Sequence, residues 1–227
     1  MKRTAVFLVL TFFVFSGSLL AIPSEGTFYP DKHHTNWGFQ FNHIAKRDFN
    51  KVEGVGSTTH NFLAASYGVT DRFCLDGKVG VGWISFDRND EMDMSFSSGF
   101  TGGYGFRYLL KKCEETNTEY QFGFQHISTH PFKREFDGSA YRVIWDEWQG
   151  SLLWIKRCPK ISYYLGAQYS DVQLKYKVAD FRRRLKTEDL WGLIVGVDRK
   201  IDENINLNLE LRVVDELGAN IGIMKKF

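Results

Sequence analysis

Residues 219–227 read A-N-I-G-I-M-K-K-F. Ala219, Ile221, Ile223 and Phe227 fall on one parity, and Asn220, Gly222, Met224 and Lys226 on the other. A period of two without a helical period describes a strand with one apolar face and one polar or small face. A strand that runs out on an aromatic must be paired on both sides or stand as a bare sheet edge.

The same alternation recurs upstream. Trp37, Phe39 and Phe41 oppose Gly38, Gln40 and Asn42; Leu63, Ala65, Tyr67 and Val69 oppose Ala64, Ser66 and Gly68. Val79, Val81 and Trp83 oppose Lys78, Gly80 and Gly82, and Phe100, Tyr104, Phe106 and Tyr108 oppose Thr101, Gly103, Gly105 and Arg107. In the second half, Tyr120, Phe122 and Phe124 oppose Gln121, Gly123 and Gln125, and Trp148, Leu152 and Trp154 oppose Gln149 and Ser151. Ile161, Tyr163 and Leu165 oppose Ser162, Gly166 and Gln168, while Trp191, Leu193, Val195 and Val197 oppose Gly192, Gly196 and Asp198. Ile205, Leu207, Leu209 and Leu211 oppose Asn206, Asn208, Glu210 and Arg212. With the final segment this predicts about ten strands, an even number.

Connections alternate in length. Those near Asp71, Glu114, Pro159 and Asp202 are short; those near Lys51, Asn89, Phe132 and Arg183 are longer and charged, and the last, around Glu216, is short again. Aromatics make up 16% of the 227 residues, with 20 Phe, and 21 Gly stand against 4 Pro. Aromatics favour strands and membrane interfaces, and glycine favours tight turns and crowded inward positions. A net charge of +2 suggests no nucleic-acid partner.

Residues 1–21 form a separate unit, with Lys2 and Arg3, an apolar run over residues 5–15, and a small-residue exit. This is the pattern of a secretory signal peptide, cleaved after Ala21 or, alternatively, after Ser18. Residues 22–34 carry Pro23 and Pro30 with no period and read as a tail, and residues 35–227 as the barrel. No later apolar stretch approaches the length of a membrane helix.

These features together resemble bacterial outer-membrane β-barrels: a closed antiparallel up-and-down transmembrane barrel, with bulky apolar positions facing lipid. The resemblance implies an outer-membrane location after signal cleavage, contact with outer-membrane lipid, and recognition of Phe227 by the barrel-assembly machinery. A soluble β-sandwich or lipocalin-like barrel also alternates. Its polar face would be charged, whereas this one is rich in Gly, Ser, Asn and Gln with isolated charges.

The isolated charges are Asp76, Lys78, Arg107, Asp198, Glu210 and Arg212. They read as a selectivity ring of a channel or as mutually satisfied pairs plugging a narrow barrel. Eight strands barely leave room for side chains and open porins need about sixteen, so ten favour a plug or a very narrow passage.

On the fifth segment, Gln125-His126-Ile127-Ser128-Thr129-His130 puts His126 and Ser128 on the lipid-facing parity at the loop end. Their Cα atoms should lie about 6.6 Å apart. A His beside a Ser is the minimum for general-base activation of a hydroxyl nucleophile. This H-x-S element resembles that of the lipid A deacylases, in which His is the base, Ser the nucleophile and a Glu orients the His. The resemblance implies His126 as base and Ser128 as nucleophile, with Glu135 or Asp146 as the acid; Thr129 replaces the family's Asn. The run F-G-F-Q-H-I-S-T-H is also similar to an H-x-S-S-H element in an uncharacterised barrel family, which implies no activity. An omptin-like protease would need paired acids and a His at the loop rim, a constellation the order of residues does not supply.

No cofactor is implied. His126 and His130 on one strand are about 13 Å apart, too far to share a metal ion. His33 and His34 fall in the tail. Cys74, Cys113 and Cys158 fall near the short-turn rim, with Cys74–Cys113 the favoured pair if one disulfide forms. Trp37, Trp83, Trp145, Trp148, Trp154 and Trp191 are read as interfacial girdles.

Overall fold

The computed structural model describes residues 26–49, 54–88, 92–136, 139–178 and 181–227. Residues 1–21, read as the signal segment, and the loop positions Lys51 and Asn89 lie outside this set. The strands are β1 (Thr35–Asp48), β2 (Gly54–Thr70), β3 (Phe73–Arg88), β4 (Met92–Cys113), β5 (Thr118–Pro131), β6 (Arg134–Phe136), β7 (Ser139–Arg157), β8 (Ile161–Val178), β9 (Phe181–Lys186), β10 (Trp191–Lys200), β11 (Ile205–Val213) and β12 (Glu216–Lys226). Ten of them close an antiparallel cylinder in the order β1-β2-β3-β4-β5-β7-β8-β10-β11-β12. The closing seam joins the first and last strands, with Phe41 opposite Ile221 and Phe39 opposite Ile223. The short strands β6 and β9 extend β7 and β8 at one rim only.

Tight turns gather at the opposite rim. Asn117 adopts a positive φ of 50° there, a conformation Asn tolerates. In the β10–β11 turn Asp202 Oδ1 accepts from the amides of Asn204 and Ile205, both at 2.7 Å, fixing the reversal locally. This is the turn rim; the other is the loop rim.

Parity sorts the side chains as the sequence predicts through the middle of the wall. Phe39, Leu165 and Trp191 are 68%, 55% and 67% exposed on the exterior, whereas Asn42, Gln121 and Arg107 are fully enclosed. An apolar exterior of this extent marks a surface that meets lipid or another protein. An interior of amides and charges is the counterpart of that surface in a transmembrane barrel.

Near the loop rim the rule of bulky residues outward fails. Ile44, Phe49, Ile84, Phe86, Phe96, Val143, Trp145, Val172, Leu174 and Leu185 converge inside the cylinder as one apolar cluster. Trp145, read as a girdle residue, has no exposed surface and meets Phe49 edge-on at 5.7 Å. Two features create this stopper. A bulge in β1 after Ile44 lets both Ile44 and Arg47 point inward. The β11–β12 hairpin is short, so the chain after β9 crosses over it and bridges to β1 at Phe49 and Thr187. The rim draws together there, and enclosed space away from water selects apolar side chains.

At the turn rim, residues 26–34 enter the structure rather than hang from it. Thr27 is completely buried, with its amide donating to Asp198 Oδ2 at 2.7 Å. Arg107 donates to the carbonyls of Gly26 and Phe28, and Arg157 to that of Thr27. Lys32 forms a parallel bridge with Gly68, and the His33 ring lies 3.3 Å from the Tyr67 hydroxyl. The favoured Cys74–Cys113 disulfide is not formed. Cys74 sits opposite Arg107, six residues before Cys113 along β4, and its thiol faces the lumen carboxylate of Asp76.

Trp145→Ala is expected to cost about 3–5 kcal/mol in urea unfolding of the detergent-folded barrel, the range for emptying a buried aromatic site. Trp191→Ala, on the exposed wall, should change the midpoint little under the same conditions.

Candidate functional site

Two groupings of polar side chains stand out, one filling the lumen and one on the exterior wall.

In the lumen, all six charges selected from the sequence point inward, and each has partners. Arg107 grips Asp76 with two bonds, Nε to Oδ2 and Nη2 to Oδ1, both at 2.8 Å. Lys78 Nζ donates to Gln40 Oε1 at 3.1 Å. Asp198 accepts from Thr27, Asn206 and Asn208. Glu210 accepts from the Tyr164 hydroxyl at 3.0 Å, and Arg212 meets Glu216 at 2.9 Å. Tyr164 can lie over β10 toward β11 because its register partner is Gly196, where a Cβ would lie 2.3 Å from the phenol oxygen.

A second set goes unselected by sequence reasoning. Arg47 lies fully buried and bonds Asp215 at 2.8 Å, Glu216 at 2.7 Å and the Ser170 carbonyl at 2.8 Å. Glu147 accepts from the indole of Trp145 at 3.1 Å and from Gln149. Parity already contained Trp145 and Glu147, since Trp148, Leu152 and Trp154 point outward and odd positions of β7 therefore point in. Arg47 was hidden by the bulge. Asp215 and Glu216 follow Val214, whose φ of 88° is strained for a β-branched residue. That turn delivers both carboxylates to Arg47.

On the exterior, toward the loop rim, His126 is wedged against Trp148 and Tyr104, with ring centroids 4.1 and 5.2 Å away. Its Nε2 meets Asp146 Oδ1 at 2.6 Å, and Lys175 Nζ meets the other carboxylate oxygen at 2.5 Å. Asp146 is thus the acid placed on His126, while Glu135 lies exposed on β6 opposite Ala140. Ser128 is paired in register with Asp146, but its hydroxyl lies 2.9 Å from Nε2 of His130. A nucleophile triad needs one imidazole to bridge hydroxyl and acid through its two nitrogens. Here hydroxyl and acid are served by different histidines. Among the described residues no group of three or more His, Cys, Asp or Glu is placed to hold a metal.

No protein-family model matches the sequence, and no curated protein matches it. Among solved structures the chain is similar to the translocator domain of the autotransporter NalP from Neisseria meningitidis, at 9% identity and TM-score 0.51, over 100% of this chain and 98% of that one. It is also similar to an outer-membrane channel from Pseudomonas putida F1 (11% identity, TM-score 0.48, 90% and 99% covered) and to the outer membrane protein OprG from Pseudomonas aeruginosa (12% identity, TM-score 0.47, 87% and 97% covered). The NalP likeness shows the fold, a barrel of the outer-membrane type.

Arg107→Gln should destabilise the barrel by about 3–5 kcal/mol, since it strands a buried carboxylate. The double variant Asp76→Asn, Arg107→Gln should recover much of that loss, read as the urea midpoint in detergent.

Proposed function

We propose that this chain is an integral outer-membrane barrel, non-enzymatic, that works through its outer wall and loop rim as an anchoring or adhesive element. The observation that carries this reading is the filled lumen. Residues 26–29 occupy the turn-rim mouth, ion pairs and amides the middle, and the Trp145 cluster the loop-rim end. The void along the lumen wall between Gln40, Ala64, Asn208, Gly222 and Met224 is about 10 Å³, room for hardly one water. Loops outward and turns inward is the orientation of bacterial outer-membrane barrels. Reconstituted in planar bilayers, the wild-type protein should give no single-channel current, and its proteoliposomes should not swell in sugar solutions. Steady conductance from the wild type would replace this reading with a narrow pore.

A second reading, an acyl hydrolase acting on lipid A, draws on the Ser128–His130 contact beside the Asp146–His126 pair on the lipid-facing wall. On that reading expression of the wild type removes one acyl chain from the host's lipid A, seen by mass spectrometry, and Ser128→Ala abolishes the loss. Identical lipid A with and without well-expressed wild-type protein would eliminate it.

A further inference from the structure

Above the aromatic level of the exterior wall, three neighbouring strands carry an unusual charge lattice. The level itself is set by Trp148 on β7, Tyr169 on β8 and Trp191 on β10, the last two in edge contact at 5.3 Å. Each further alternation along a strand rises roughly 5 Å along the barrel axis, given about 3.4 Å per residue and a tilt near 40°. The first cross-strand row is Asp146–Gln173–Lys186, the second Ile144–Lys175–Arg184 and the third Arg142–Lys177–Arg182. All six cations lie on the outward parity and five of them are exposed, Lys175 being half-buried.

Against these six cations β7, β8 and β9 offer two carboxylates on the same face, Asp146 and Asp171, and Glu135 stands beside them on β6 opposite Ala140. Asp146 is taken by Lys175 and His126, and Arg184 bonds Gln173. Among the described residues Arg142, Lys177, Arg182 and Lys186 have no acidic partner. Lys177 faces Arg142 on one side and Arg182 on the other, and Lys175 faces Arg184. Like charges directly opposite on a sheet are destabilising. At the corresponding height β2, β3 and β5 present Ser57, Thr59, Ser85 and Ser128 instead, and Lys46 on β1 is paired with Asp48, so the excess of positive charge falls in one sector.

We propose that this sector seats the phosphate groups of an anionic glycolipid of the outer leaflet. Charge complementarity calls for a polyanion, and position selects a lipid. Directly below the lattice β7, β8 and the adjoining β10 expose Leu152, Leu165, Leu193 and Val195, so one amphiphile can lay its acyl chains on the apolar belt and raise its phosphates into the cationic rows. Trp148 and Tyr169 mark the boundary between the two parts. The proposal rests on the outer-membrane reading above.

The test uses the full folded barrel in neutral detergent, titrated with lipid A carrying its phosphates, with enzymatically dephosphorylated lipid A, and with inorganic phosphate alone, and read by native mass spectrometry and thermal unfolding. The wild type should bind the phosphorylated lipid and gain thermal stability. A variant with Arg142→Gln, Lys177→Gln and Arg182→Gln should bind it roughly a hundredfold more weakly, at about tenfold or less per charge near an anionic headgroup. Because those residues repel one another, the variant should fold at least as well as wild type without lipid. Arg199→Gln with Lys200→Gln, at the turn rim, should bind as wild type. Equal binding of phosphorylated and dephosphorylated lipid, undiminished binding by the triple variant, or an equal response to inorganic phosphate would overturn the proposal. Failure to insert into bilayers of any composition, seen as absence of a heat-modifiable band, would instead overturn the outer-membrane reading.

Discussion

The whole structure depends on one requirement: a strand in hydrocarbon must find every backbone partner within the protein. An open sheet would leave two edges of unpaired amides and carbonyls, so the ladder closes where β12 meets β1, residue by residue from Asn36 with Lys226 to Arg47 with Glu216. Closure then divides the side chains. Those of one parity face lipid and must be apolar, and the other parity has nowhere to go but inside. Ten strands enclose a lumen wider than an eight-stranded barrel needs. The chain fills that width with long side chains such as Arg47, Arg107, Arg212 and Tyr164, all less than 2% exposed, and with the segment around Thr27.

Filling a lumen with charge is stable only when each charge is met. A buried charge that loses its partner costs more than the pair itself contributes. That asymmetry accounts for the density of contacts in the middle layer. Arg47 has two carboxylates and a carbonyl, and Asp215 has a guanidinium and the amide of Gln168. A network so interlocked resists rearrangement, because moving one member strands several others. The apolar stopper above it behaves differently: it is non-directional and excludes water. Together they make the lumen the rigid part of the molecule, and leave the exterior and loop rim as the surfaces free to interact.

The fold was legible because a membrane barrel imposes the period-two rule on every strand at once. Inward and outward positions through the middle of the ten wall strands follow from parity, including the six lumen charges. What escaped parity did so for definable reasons. The bulge in β1 resets the count, so Arg47 and Ile44 are both interior although three apart. Val214 turns the chain so tightly that Asp215 and Glu216 fall into the lumen network instead of a loop. Residues 26–29 have no period because they pair through carbonyls with Arg107 and Arg157 instead of through a ladder. Trp145 was within reach of the rule, but an aromatic in a barrel reads as a girdle residue until its parity is weighed.

The exterior pair shows a limit of another kind. Spacing places His126 and His130 equally far from Ser128 on the same face, so it does not say which imidazole takes the hydroxyl. Neighbouring strands break the tie. Trp148 and Tyr104 flank the ring of His126, Asp146 draws its Nε2, and Ser128 is left to His130. Asp146 in turn is shared with Lys175, a member of the second cross-strand row. A carboxylate held between an ammonium and an imidazole is already neutralised, which suits anchoring that wall better than raising the basicity of one histidine. The acid beside His126 therefore belongs physically to the charge lattice above it, and the lattice explains its position without a reaction.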